Sequence, residues 1–100
     1  MEVQITNENF ESEVLNFKGK VIVDFYGTWC MPCKMLAPIV EKVANENNIK
    51  LAKIDIDENE ELVKKFKIMS VPTLKIFVDG VEKATLVGLT SEAKILDLLK

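Results

Sequence analysis

The run VIVDFY, residues 21 to 26, constrains the fold of this chain more than any other stretch. It is β-branched or aromatic at nearly every position and does not alternate with polar residues, which predicts a strand covered on both faces. Such a strand needs a layer above it and another below. The flanking segments supply them. VQI, residues 3 to 5, reads as a short strand, and TNENFESEVLNF sets Phe10, Val14 and Phe17 at helical spacing behind the capping candidates Thr6 and Asn7. From Cys33 onward, Leu36, Ile39, Val40 and Val43 recur at helical spacing, and Pro38 is expected to kink that helix.

Further along, LAKIDI at 51 to 56 reads as a strand. ENEELVKKFK follows as a helix with acids in its first turn and lysines in its last, as the helix dipole prefers. TLKIFV and VEKATLV flank Asp79 and Gly80, a two-residue hairpin signal. A last helix starts near Thr90 or Ser91 and is expected to bury Ile95, Leu96, Leu98 and Leu99. The order β-α-β-α-β-α-β-β-α predicts an α/β fold, a mixed sheet with helices on both faces whose last two strands are antiparallel.

With 100 residues, 48% of them hydrophobic, the chain suits one domain spanning residues 1–100. The net charge of -3 offers no basic field, so neither nucleic acid nor an anionic membrane is an expected partner. No apolar run approaches the roughly 18 residues of a membrane span, and the acidic N-terminus lacks the features of a signal peptide, so a cytoplasmic location is expected; a monomer is expected as well, though no sequence feature fixes it.

Histidine is absent, which removes Cys/His hydrolytic catalysis and mixed Cys/His zinc sites together. The only two cysteines, Cys30 and Cys33, lie in WCMPCK, in the turn after the second strand, where open α/β sheets place their chemistry. Three roles are open to them. A closed zinc site needs four ligands and the chain offers two, unless a second chain shares the site. An inert core pair or staple is the bland role. A redox pair is the third, and the position favours it: free N–H groups at a helix start favour a thiolate on Cys30, with Cys33 one turn deeper as a shielded resolving thiol. Pro32 fits the first helical positions, where its missing N–H costs no hydrogen bond.

Asp24 interrupts the buried strand on the face shared by Ile22 and Tyr26. An unpaired buried carboxylate is costly, so it should hold its proton to higher pH; the bland alternative is an aspartate at a frayed edge or bonded to backbone. Lys53 could approach Asp24 from a neighbouring strand, although a lysine reaching to solvent is the default. Met35 and Met69 read as packing or surface residues.

DFYGTWCMPCK, KIDID, SVPTLKIF, DG and VG, in that order, resemble the thioredoxin family over essentially the whole chain. The resemblance implies the thioredoxin fold, a five-stranded sheet in the order 1-3-2-4-5. It implies a Cys30–Cys33 disulfide that cycles with the dithiol, with no bound cofactor and no metal. It further implies a cis Pro72, and an exposed apolar collar of Trp29, Met31, Pro32, Val71, Pro72, Val87, Gly88 and Leu89 that binds substrate. The implied activity is protein-disulfide reduction, with Cys30 as nucleophile, Cys33 resolving, Asp24 accepting its proton and Lys53 modulating Asp24. Implied partners are disulfide-containing target proteins and a thioredoxin reductase. Met31 stands where the family usually has glycine; together with Pro32 it occupies the dipeptide that tunes the potential. A non-catalytic docking module and a specialised disulfide oxidant or isomerase are the alternatives.

Overall fold

The computed structural model describes all residues, 1–100. Five strands, β1 (Glu2–Gln4), β2 (Lys20–Tyr26), β3 (Lys50–Asp55), β4 (Thr73–Val78) and β5 (Val81–Val87), form one sheet in the order β1-β3-β2-β4-β5. β1, β3 and β2 are parallel, whereas β4 runs antiparallel to β2 and β5 antiparallel to β4. The expected sheet is therefore present, with β1 and β3 each shifted one residue toward the N-terminus. Ile5 still donates its N–H to the Lys53 carbonyl at 2.8 Å, so pairing extends beyond β1 by one bond.

Side chains along β2 alternate between two cores, as a strand buried on both faces requires. Ile22 packs with Leu36, Val40, Leu74, Ile76 and Ile95 beneath α1 (Met31–Glu46) and α3 (Glu92–Leu98). Val21, Val23 and Phe25 face the other core, with Ile54, Leu62 and Phe77, beneath α2 (Glu60–Lys65). There Phe10, Phe66 and Phe77 meet edge to face, with centroids 5.4 to 6.2 Å apart, an arrangement that suits the ring quadrupoles.

Several expectations need correction. The first helix is a single π-helical turn, Glu11–Leu15, closed by Asn16 N–H to Glu11 O at 2.8 Å. Asn9 ties the chain ahead of it instead of a cap at Asn7: its Oδ1 accepts from Thr6 N and its amide donates to the Gln4 carbonyl. α2 is shorter than its charge pattern suggests, because Asn59 spends its amide on the Asp55 carbonyl and Lys67 turns to a φ of 54°. In α3, capped by Ser91, Ile95 and Leu99 are buried, but Leu96 and Leu98 are only half-buried. One side of α3 rests on the sheet and on α1 and the other faces solvent, so only one stripe is covered.

Candidate active site

Chain direction puts the C-terminal end of β2 and the start of α1 next to each other, joined by residues 27–29. Cys30 is the N-cap of α1: its Sγ accepts the Cys33 N–H at 3.2 Å and its carbonyl accepts from Lys34 N. Met31 and Pro32 open the helix, where proline is harmless. Cys30 and Cys33 are joined by a disulfide, with Cα atoms 5.3 Å apart. The expected contrast between an open Cys30 and a shielded Cys33 is absent, since the two residues are 4% and 5% exposed. Bonded sulfurs cover each other, and Cys30 Sγ also lies 3.8 Å from the Val71 carbonyl oxygen.

The Val71–Pro72 peptide bond is cis. Pro72 O accepts the Gly88 N–H at 2.8 Å, and Thr73 pairs with Val87, so the β4–β5 pairing brings residues 87 and 88 beside the proline. Of the residues expected to form a collar, Trp29, at 64% exposure, and Met31, Pro32, Val87 and Leu89 are exposed. Pro72 is buried and Val71 and Gly88 are half-buried, which corrects the expectation that all eight are exposed. Gly88 has a φ of +92° and open space where a Cβ would point. Met35 and Met69 are surface residues, Met69 almost wholly exposed.

Trp29 Nε1 donates to Asp57 Oδ2 at 2.7 Å, which fixes the indole at the rim. Nothing in the acid-rich segment around residue 57 singled that aspartate out, because the pairing spans 28 positions. Gly27 makes room for the ring, since a Cβ there would lie 2.7 Å from Trp29 Cε2.

Asp24 shares its face of β2 with Ile22 and is 2% exposed, and Oδ1 has no hydrogen-bond partner. It is neither at a frayed edge nor quietly bonded through that atom. Burial pushes its carboxyl up from 3.8 to about 6, opposed by the charge of Lys53 and reinforced by Glu2 and Glu41. A cavity of about 250 Å³ is lined by Asp24, Tyr26, Cys33, Lys34, Ala37 and Lys53, so the carboxyl and the second cysteine share one space. Lys53 sits opposite Asp24 in the β2–β3 register, half-buried instead of reaching freely to solvent. Its Nζ lies 4.0 Å from Glu41 Oε2 and 4.9 Å from the Tyr26 ring centroid. A larger hollow, of about 390 Å³, opens at the other end of β2 between Phe17, Lys18 and Asn48, away from the cysteines. No group of three or more His, Cys, Asp or Glu side chains is placed to hold a metal ion.

A cysteine disulfide capping the helix after the central strand of a 1-3-2-4-5 sheet defines a thiol-disulfide oxidoreductase of the thioredoxin fold. The thioredoxin family model matches residues 1–100, and the chain belongs to the thioredoxin family. It is 40% identical to a thioredoxin of Mycobacterium bovis over 94% of this chain and 83% of that one. It is likewise 40% identical to a thioredoxin of Rickettsia bellii, over 97% and 94%. A bifunctional thioredoxin reductase/thioredoxin of Mycobacterium leprae is 38% identical over 94% of this chain, which spans 21% of that protein. The structure of a mutant thioredoxin from Halobacterium salinarum superposes with a TM-score of 0.90 at 37% identity, covering 98% of this chain and 87% of the other. In this family the cysteine pair is itself the redox centre, and no cofactor is needed. No helix is long and apolar enough to cross a membrane.

Proposed function

We propose that this protein reduces disulfides in other proteins and is itself re-reduced by a thioredoxin reductase. The Cys30 thiolate attacks one sulfur of the target disulfide; that bond breaks, the target's other sulfur leaves as a thiolate, and a mixed disulfide forms. Cys33 loses its proton to Asp24, and its thiolate attacks the Cys30 sulfur, releasing the second target thiolate. Two electrons pass to the target and the Cys30–Cys33 bond closes. The reductase returns two electrons and reopens it. The observation that carries the assignment of Cys30 is the bond from Cys33 N–H to Cys30 Sγ, a donor already aimed where negative charge develops.

The cavity shared by Asp24 and Cys33 supports Asp24 as the proton acceptor, since no histidine exists to take that role. Lys53 modulates Asp24 from the facing strand. Trp29, Met31, Pro32, Val87 and Leu89, over a floor of Val71, Pro72 and Gly88, supply the apolar surface on which an extended target segment lies. Met31 adds a flexible thioether there and, with Pro32, sets the potential. A reductant of this kind is sustained in a reducing compartment, so the cytoplasm is its expected location. With dithiothreitol as donor, Cys30→Ser abolishes reduction of insulin, and Cys33→Ser accumulates the mixed disulfide. Undiminished reduction by Cys30→Ser would overturn the choice of nucleophile.

A further inference from the structure

We propose that Glu41 is a positioning residue of the redox site: it draws the Lys53 ammonium off Asp24, leaving the buried carboxyl without a direct ion pair. The sheet register sets Lys53 directly across from Asp24, where a lysine would ordinarily neutralise the acid. Here the two form no ion pair, and Lys53 acts on Asp24 only from a distance. Asp24 Oδ1 is without a partner, whereas the ammonium lies 4.0 Å from Glu41 Oε2.

One further contact holds the lysine in that pose, and a second steadies its partner. The Tyr26 ring lies 4.9 Å from Nζ, within cation–π range, and the Tyr26 hydroxyl accepts from Gln4 Nε2 at 2.9 Å, which steadies the ring. On α1, Cys33, Ala37 and Glu41 follow one another at four-residue spacing, so one helical face carries the second cysteine, the cavity wall and the competing acid.

The charged and titratable groups around Asp24 are Lys53 from β3, Glu2 from β1, Tyr26 from its own strand, and Cys33, Lys34 and Glu41 from α1. Among them, the charge of Lys53 lowers the carboxyl's proton affinity, while those of Glu2 and Glu41 raise it. Removing Glu41 acts twice in one direction, deleting a like charge and freeing the lysine to turn toward Asp24. Glu41 is also half-exposed, so its amide variant keeps the fold.

The catalytic meaning of this arrangement rests on the proposed function; the placing of Lys53 does not. The test is a carbon-13 carboxyl titration of Asp24 in the full-length oxidised protein, where the cysteines do not titrate. Wild type, Glu41→Gln, Lys53→Met and the double variant are compared. Glu41→Gln lowers the Asp24 midpoint by about half a pH unit, a roughly threefold larger dissociation constant, the size expected for redirecting one partly exposed ion pair. In the Lys53→Met background the same change moves it less than half as far. An unchanged or raised midpoint, or equal shifts in both backgrounds, would refute the positioning role. The acid limb of the insulin-reduction profile should move with the midpoint. A limb that stays put while the midpoint moves would count against Asp24 as the base for Cys33 and leave Glu41's hold on Lys53 standing.

Discussion

Asp24→Asn should stabilise this protein, and by an amount that depends on pH in a specific way. The folded carboxyl binds its proton up to about 6, whereas the unfolded one releases it near 3.8. Between those values the native state holds more protons than the unfolded chain, so stability falls as pH rises through the window. Below it both states are protonated and the aspartate costs nothing extra. Above it both are ionised, and the native state carries the full penalty of a charge taken out of water. At about 1.36 kcal/mol per pH unit, that penalty is about 3 kcal/mol. Because Asp24 is 2% exposed, solvent screening takes little from it. Asparagine matches the protonated acid in shape and cannot ionise. Guanidinium unfolding of the two oxidised proteins from about pH 3.5 to pH 8 reads the effect: the curves should nearly coincide at the acid end and separate to about 3 kcal/mol, the variant being more stable, above about pH 6.5. A gap of the same size at both ends would show that the substitution changes packing and that Asp24 carries no desolvation penalty.

The glycines permit a paired comparison. Gly88→Ala adds a methyl group to open space at a φ of +92°, so backbone strain alone should cost about 1 kcal/mol in denaturant unfolding. Gly80→Ala also places a side chain at positive φ, but drives it into the Leu15 carbonyl oxygen and should cost clearly more. Gly27→Ala should push the indole aside and break its bond to Asp57, read as a shift in the emission of the lone tryptophan and slower insulin reduction. Leu36→Ala, at a fully buried site between α1 and the sheet, should cost about 2 to 5 kcal/mol by the same unfolding assay, with the redox site intact.

The order of the elements, the hairpin at Asp79 and Gly80, and the placement of Cys30 and Cys33 at a helix start were legible in the chain, because each follows from local periodicity or turn chemistry. Both core faces of β2 could be read from VIVDFY for the same reason. The misreadings share a cause as well. Glu11–Leu15 shows helical spacing yet closes only one π turn, since Asn9 bonds back to Gln4 and Thr6 and fixes how the chain enters it. Half of the final helix's apolar stripe stays partly open because how many layers cover a helix is a property of the assembled sheet.

The site divides along the same line. Local sequence sufficed for the thiol pair, the N–H donors of its helix and a carboxylate in a buried strand, since those depend on spacing of a few residues. Three-dimensional packing decided that Pro72 is buried with the Val71 carbonyl against Cys30, that Asp57 anchors Trp29, and that Lys53 leans toward Glu41 instead of Asp24. Charges and hydrogen-bond donors act over a few ångströms of space, and which groups come that close across tens of residues is settled only when the sheet and its helices pack.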